Sequence, residues 1–355
     1  MTAAALRRGG PGLQRLVTFA TNNGDVGGGE VMLLRLAEAA EELGWKVQVV
    51  GPPGGLVEAA ASEGRAVHVI SAHDRRGYLI GLRRWVRRNH TGLLWCNGLV
   101  PALATAGLKD RVVHLHQQPS RSQRAVAAVA RTRARATVVP SDFLAARLPG
   151  ALALPNWCDA VRVPAHHVAG GAVRIGFLGR VSLDKGVDVL ADAVSLLVEG
   201  GREVRLVVAG SPRFASAAST RTIDASLARL GPRLDELGWI TREDFFGQVD
   251  VAVFPSRAPE AFGLVAAEAM SARVPFVVSD AGALPEVAGA EHPWISRAGD
   301  AEHLAGVIGV AVEALPATEV LDAAQARWQA HYSPEAGSIR LAALLSGLRR
   351  LEGHP

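Results

Sequence analysis

The segment PEAFGLVAAEAM holds two carboxylates, Glu260 and Glu268, eight residues apart. At about 100° per residue they would sit roughly 80° apart on a continuous helix, so one helical face cannot carry both. Pro259 and Gly263 instead place Glu260 in a loop and start the helix near Gly263. The free amides of Gly263, Leu264 and Val265 can then hold phosphate or sugar oxygens. Glu260 can accept from sugar hydroxyls and Glu268 from a ribose. Glu268 lies in an apolar stretch, LVAAEAM, where an unpaired carboxylate is costly.

A second constellation is Arg180…Lys185-Gly186 in RVSLDKG, a loop between an apolar strand and a helical run. An arginine fork and a lysine point charge suit a diphosphate. The chain has only three lysines, Lys46, Lys109 and Lys185, so one at such a junction stands out. Near the N-terminus, Gly27-Gly28-Gly29-Glu30 lies at the entrance to a helix, where glycines admit an anion to backbone amides. It is not the dinucleotide fingerprint, because G-x-G-x-x-G fails at Met32. His114 and His116 end the strand VVHLH on one face. Zinc would need further ligands, which no HExxH or CxxC motif supplies, so a hydrogen-bonding or charge-stabilising role near the ligand suits His116, nearer the strand end. No Asp-x-Asp, G-x-S-x-G or G-x-x-x-x-G-K-[ST] occurs, which removes serine-hydrolase and P-loop readings.

The elements that position these residues follow one repeated order. A strand over 16–20, the glycine-rich loop, a helix over 31–43 and a strand over 46–50 make one right-handed crossover unit. Strand 173–179, loop, helix 187–198 and strand 204–209 repeat it. Each passage opens its own doubly wound α/β domain, whose ligands bind beyond the carboxyl ends of the strands. Further strands are expected at 66–70, 93–96, 112–115, 137–139, 251–254 and 275–279, and a last helix at 334–351.

The 355 residues suffice for two domains, and 49% apolar with 20% charged residues excludes a disordered or collagen-like chain. Cys96 and Cys158 are too few for a disulfide framework, which fits a reducing, cytoplasmic compartment. The N-terminus, MTAAALRRGGPG, lacks the apolar core of a secretory signal. Charge is uneven: residues 1–160 hold 20 Lys+Arg against 11 Asp+Glu, and residues 161–355 hold 18 against 23. Arg83, Arg84, Arg87 and Arg88 flank Trp85 at helical spacing, forming adjacent basic ridges suited to an anionic membrane. Nucleic acid is disfavoured, since aromatics are not interleaved and the second half is acidic.

GGGE after the first strand, HLHQQP, VPSDFLAARL, LPNWCD, FLGRVSLDKGVDVLADA and PSRAPEAFGLVAAEAMSARVPFVVSDAGALPEV together resemble the family 4 glycosyltransferases. The resemblance runs from about residue 14 to the C-terminus, and its specificity comes from E-x7-E and GR…KG occurring together. It implies the GT-B fold: two Rossmann-like, doubly wound parallel-sheet domains facing across a cleft. It also implies a retaining transferase that uses a nucleotide-diphosphate sugar, with UDP as the expected nucleotide and no cofactor or metal. By the same resemblance Arg180 and Lys185 bind the diphosphate, Glu268 the ribose hydroxyls, and Glu260 faces the donor sugar. Gly263 and Leu264 offer amides, His116 stands at the reaction centre, and Gly28 and Gly29 cover the phosphates and acceptor. Asn156 and Asp159 match the family's linker turn. Gln117 departs from the family's usual Asp after the histidine, and AGSPRF, with Gly210 to Phe214, from its usual Gly-x-Gly-Pro.

The expected organisation is a loose tail over 1–12, an acceptor-side domain over 13–160, a linker over 161–171 and a donor-side domain over 172–333. A helix over 334–355 crosses back to the first domain. The acceptor is a hydroxyl on a glycan, a lipid-linked glycan or a small molecule. The alternatives are a sugar-nucleotide epimerase or phosphorylase of the same fold, or a non-catalytic nucleotide-sugar-binding protein. A pyridoxal-dependent phosphorylase needs a Schiff-base lysine, and none of the three lysines has a fitting apolar context. A non-catalytic binder would be expected to lack Glu260, Lys185 or Arg180.

Overall fold

In the first half, strands β1 (Leu16–Thr21), β2 (Lys46–Gly51), β3 (Ala66–Val69), β4 (Leu93–Asn97), β5 (Arg111–His114), β6 (Ala136–Val139) and β7 (Ala151–Ala153) form one sheet. Its order is β3-β2-β1-β4-β5-β6-β7, and its neighbours pair in parallel. β4, LLWCN, is buried at every position, and β1 at all but its first. Such unbroken burial is what helices on both faces of a parallel sheet demand. Those helices are α1 (Gly28–Glu42), α2 (Gly55–Ser62), α3 (Arg75–Asn89), α4 (Leu99–Ala104), α5 (Arg124–Arg131) and α6 (Asp142–Ala145).

The second half repeats the plan with β8 (Val173–Leu178), β9 (Val204–Ala209), β10 (Leu234–Gly238), β11 (Val251–Phe254), β12 (Phe276–Ser279) and β13 (Ile295–Ser296). Their order is β10-β9-β8-β11-β12-β13, again parallel. Its helices are α7 (Val187–Glu199), α8 (Ala217–Ala228), α9 (Arg242–Phe246), α10 (Leu264–Ala272), α11 (Leu284–Ala288), α12 (Ala301–Glu313) and α13 (Thr318–His331). One core cluster joins Phe245, Phe246, Phe254, Phe276 and Trp328, and a second joins Ile175, Leu190, Val194, Leu206 and Ile308. Strand order reverses between β1 and β4 and between β8 and β11. Loops at the carboxyl ends of those strands are where such sheets bind ligands.

The computed structural model describes residues 15–25, 27–163, 171–212 and 216–350. The expected tail over 1–12 and residues 164–170 of the expected linker lie outside them. The chain divides into two units, one running to Asn156 and resuming at Pro334, the other Trp157–Ser333. The division falls before Trp157 rather than after residue 160, because this stretch is tied into the second unit. Cys158 N donates to Tyr332 O at 2.9 Å, Trp328 Nε1 to Cys158 Sγ at 3.3 Å, and Val161 N to Ser271 Oγ at 3.1 Å. The last helix, α14 (Pro334–Arg350), packs against α1 within the first unit, where Arg135 Nη1 also reaches Leu348 O at 3.1 Å.

Candidate functional site

In the second unit the site grows from the switch point between β8 and β11. β8 gives way to Gly179 at φ 146°, beside Gly210 at φ 139°. A Cβ on Gly210 would come 1.8 Å from Gly179 O, so the strand ends touch through backbone alone. Arg180 follows, exposed. The chain then makes a 3-10 turn, Leu183–Lys185, closed by Gly186 in the left-handed region. A Cβ on Gly186 would meet Pro255 O at 2.0 Å, so glycine seats this turn on the end of β11. Arg257 N and Ala258 N both donate to Asp184 O, at 2.8 and 3.1 Å, and bind the loop after β11 to the same turn.

The two segments meet at Lys185 and Glu260. Nζ lies 2.5 Å from Glu260 Oε1, and the hydroxyl of Ser256 donates to the same oxygen. The carboxylate and ammonium assigned separately to sugar and diphosphate are therefore one ion pair here. The two side chains are 28% and 17% exposed, so the pair remains open to a ligand. Glu260 is fixed through its backbone: Ala283 N donates to Glu260 O at 2.9 Å, beside Gly282, where a Cβ would crowd Glu260 N at 2.3 Å.

Gly263, at φ 93°, precedes α10, where a Cβ would stand 2.4 Å from Leu284 Cδ2, and no side chain caps that helix. A glycine N-cap offers no side chain to the first-turn amides of α10, Leu264 among them. Glu268 sits inside α10 and is 5% exposed. Its compensation is Arg242 of α9, whose Nη1 lies 2.9 Å from Glu268 Oε1. Arg242 is the site residue the sequence did not reveal. The cost of burying Glu268 called for a cation, but nothing in REDFF says which arginine folds onto α10. A second such pair, Arg257 Nη1 with Asp188 Oδ2 at 2.8 Å, braces the Lys185 turn.

In the first unit, the expected glycine loop is already helical: α1 begins at Gly28, with Gly27 as its N-cap. Three glycines delay the apolar face to Val31 but not the helix itself, because Glu30 turns back on Gly27 N at 3.3 Å. Burial pushes the Glu30 carboxyl above its ordinary range. A Cβ on Gly29 would stand 3.2 Å from His116 Cδ2, whereas one on Gly28 would meet nothing within 4 Å. Gly29 therefore makes room for the histidine, and packing gives no reason for Gly28.

His116 lies two residues beyond β5. Its Nε2 is 2.6 Å from Asn97 Oδ1, and Asn97 Nδ2 donates to Gly29 O at 3.3 Å. Since Oδ1 only accepts, Nε2 carries the proton, and Nδ1 is left buried without a partner. Burial lowers the imidazole to about 4, so it is neutral at pH 7. His114 is fully buried behind it, ring centroids 4.0 Å apart, with Trp95 Nε1 donating to its Nδ1 at 3.3 Å. His114 is a core residue, whereas His116 lies past the strand end and is only half-buried. At the end of the unit, Asn156 is buried and Asp159 exposed.

Residues 172–313 match the family model described as Glycosyl transferases group 1. The chain is 29% identical over 133 residues to the capsular polysaccharide biosynthesis glycosyltransferase CapM of Staphylococcus aureus, covering 37% of this chain and 34% of that one. It is 40% identical over 116 residues to a D-inositol 3-phosphate glycosyltransferase of Xylanimonas cellulosilytica, covering 31% and 27%. The chain thus spans about a third or less of the length of these relatives. Its structure is similar to that of Anabaena HepE in complex with UDP and glucose, with TM-score 0.79, 21% identity and coverage of 93% and 99%. At that identity the likeness is one of fold. It places both parallel-sheet units within the GT-B architecture.

Proposed function

We propose that this chain, a GT-B protein whose residues 172–313 form a group 1 glycosyltransferase domain, transfers a sugar from a nucleotide diphosphate donor to a hydroxyl acceptor with retention of configuration. One observation carries the reading: Lys185 and Glu260 pair at the β8/β11 switch point of that domain, with Arg180 exposed in the same turn after β8. Cations there stabilise the charge that develops on a departing diphosphate. Lys185 has three donors, so it can keep Glu260 while donating to a phosphate oxygen. Glu260 then fixes the ammonium and leaves its second oxygen for a sugar hydroxyl. HepE binds UDP and glucose, which supports UDP as the nucleotide.

Retention follows from front-face departure and attack, in which the leaving diphosphate takes the acceptor proton. No residue is placed as a covalent nucleophile in this reading. Neutral His116 contributes hydrogen bonds rather than charge. Without Asp-x-Asp to clamp a cation on the donor, the cationic side chains supply the electrostatic stabilisation. The test is turnover of nucleotide sugars with model acceptors before and after exhaustive EDTA treatment, with the product anomer assigned by NMR. An inverted product, or activity lost to EDTA and restored by Mn²⁺ or Mg²⁺, would overturn these features separately. A changed sugar with no transfer would favour an epimerase.

The acceptor side of the proposal rests on α3. Arg76, Ile80, Arg84 and Arg88 follow one another at four-residue steps, and Ile80 is 52% exposed among the exposed arginines. Arg83 does not join this face, contrary to the ridge expected from spacing. Its Nη1 donates to Ala104 O and Ala106 O at 3.0 and 3.1 Å, closing the end of α4. Among the described residues no single helix is long and apolar enough to cross a membrane. A basic face with one apolar residue suits peripheral contact with an anionic leaflet at the cytoplasmic side, where a lipid-linked acceptor would be presented.

A further inference from the structure

We propose that Ser256 is a positioning residue for Glu260: its hydroxyl selects which carboxylate oxygen is offered to the donor sugar, and holds that choice when Lys185 turns to the phosphates. The inference rests on the donor reading above.

Lys185 cannot make the selection. The last torsion of a glutamate is broad and roughly two-fold, so its two oxygens exchange easily. An ammonium is a compact charge with rotatable donors, and either oxygen satisfies it. A serine hydroxyl has a single proton to give. Ser256 gives it to Glu260 Oε1, the oxygen that Lys185 Nζ also holds. Two donors fill the lone pairs of Oε1, and Oε2 has no partner among the described residues.

The serine is itself held. Regular pairing of β11 with β12 ends at Phe254 opposite Val278, and Pro255 follows with no N–H to give. Beyond it the hydroxyl of Ser279, the last residue of β12, donates to Ser256 O at 2.7 Å. Both serines are buried. On the other side, Arg257 N and Ala258 N donate to Asp184 O in the turn after β8. Ser256 therefore stands on two strands, whereas Lys185 reaches Glu260 along a flexible stem.

Its bond also differs from those of its neighbours. A buried hydroxyl is costly unless it is bonded, and the chain usually meets that need with backbone. Ser271, Ser279, Ser296 and Ser333, the other buried serines of the second unit, each donate to a backbone carbonyl. Ser256 donates to a carboxylate at the switch point. When a phosphate draws Lys185, that bond keeps Oε1 in place, and Oε2 stays available to a sugar hydroxyl.

The experiment first finds which of UDP-glucose, UDP-galactose, UDP-N-acetylglucosamine and GDP-mannose the wild type turns over, by transfer or hydrolysis. With that donor, kcat and KM are measured for wild type, S256A, E260Q and S256A/E260Q. Calorimetry gives the Kd of the corresponding nucleoside diphosphate, and thermal melting reports the fold. S256A should lower kcat about ten- to a hundredfold, as misplacement of a site group does, with KM within about threefold. Its nucleoside diphosphate Kd and melting temperature should match wild type. The double variant should stay within about twofold of E260Q, since no carboxylate remains to be oriented. An unchanged kcat in S256A overturns the proposal and leaves the donor reading standing. Losses that multiply in the double variant also overturn it, because the serine would then act apart from Glu260. Weakened nucleoside diphosphate binding or a lowered melting temperature in S256A overturns it too, since the hydroxyl would then support the whole site. A wild type that turns over none of the four removes the donor reading and this inference with it.

Discussion

Lys185 Nζ and Glu260 Oε1 stand 2.5 Å apart, joining a turn after β8 to a loop after β11 across the switch point of the second sheet. Glycines whose Cβ positions are closed by backbone set both ends: Gly186 against Pro255 and Gly282 against Glu260. The ion pair is thus a product of backbone geometry, and the lysine is held before any anion arrives. A flexible lysine would otherwise lose rotamer freedom on binding. Ordering it in advance leaves more of the binding energy for the transition state.

Replacing Lys185 by Ala should lower donor turnover about 30- to 1000-fold, corresponding to roughly 2–4 kcal/mol of transition-state stabilisation. Glu260→Gln should lose less, and the double variant should lose less than the product of the two, since the residues act through one contact. The measurement is kcat/KM for the three variants. Strictly multiplicative losses would mean the pair is incidental to catalysis.

Glu268 and Arg242 allow a stability measurement. Arg242→Ala leaves a 5%-exposed carboxylate without the cation now 2.9 Å away, which should cost about 1–3 kcal/mol. Adding Glu268→Gln should return part of that loss, because a neutral amide is cheaper to bury. Urea denaturation of both variants checks this. Lower stability in the double variant than in Arg242→Ala would show that Arg242 does not compensate the charge.

Acid should destabilise the first unit through His116. The unfolded imidazole takes a proton near its ordinary 6.5, the folded one only near 4. The unfolded state therefore binds more protons in that window. Stability is full above about pH 7, falls by up to about 1.4 kcal/mol per unit between 6.5 and 4, and levels off below. His292, also lowered to about 4 by burial, adds a loss of the same sign from the second unit. Comparing His116→Gln with wild type at pH 7.5, 5.5 and 4.5 isolates the first contribution. Parallel pH dependence in the two proteins would refute it.

How much of this was legible in the sequence differs by element. β1, β4, β11 and β12 read directly, because strands buried on both faces are unbroken apolar runs. α8 did not: AASTRTIDASLA shows only Ile223 and Leu227 as large apolar residues, too few to mark a helical face. β10, LDELG, is an edge strand buried nowhere along its length, so neither alternation nor an apolar run betrays it. Arg111 misleads in the opposite sense. It reads as surface charge, yet it is fully buried, with its guanidinium on the carbonyls of Ala102, Leu108, Ala130 and Thr132. Three of those carbonyls belong to the ends of α4 and α5 and one to the loop after α4, and their convergence on one strand residue is a tertiary fact that no local pattern encodes. Arg180, Lys185 and Glu260 were legible as residue types in loops after strands, and Glu268 as a carboxylate within an apolar helix. Their pairing, Lys185 with Glu260 and Arg242 with Glu268, was not, since each joins segments far apart in sequence.

The exposed face of α3 makes the last prediction. Arg84, Arg87 and Arg88 are exposed, whereas Arg83 is consumed at the end of α4. Each basic residue near an anionic leaflet contributes about 1 kcal/mol, and the effect decays within a Debye length. The triple variant R84Q/R87Q/R88Q should therefore lose most binding to anionic vesicles, while Arg83→Gln should chiefly lower thermal stability. Wild type should sediment with phosphatidylglycerol vesicles at 50 mM salt, release at 500 mM, and ignore phosphatidylcholine vesicles at both. Ile80→Asp, which removes the apolar contact but only one unit of charge, should weaken binding in a less salt-dependent way. If wild type and the triple variant partition equally to both lipids at both salts, α3 is a solvated surface helix and the acceptor is better sought among soluble hydroxyl compounds.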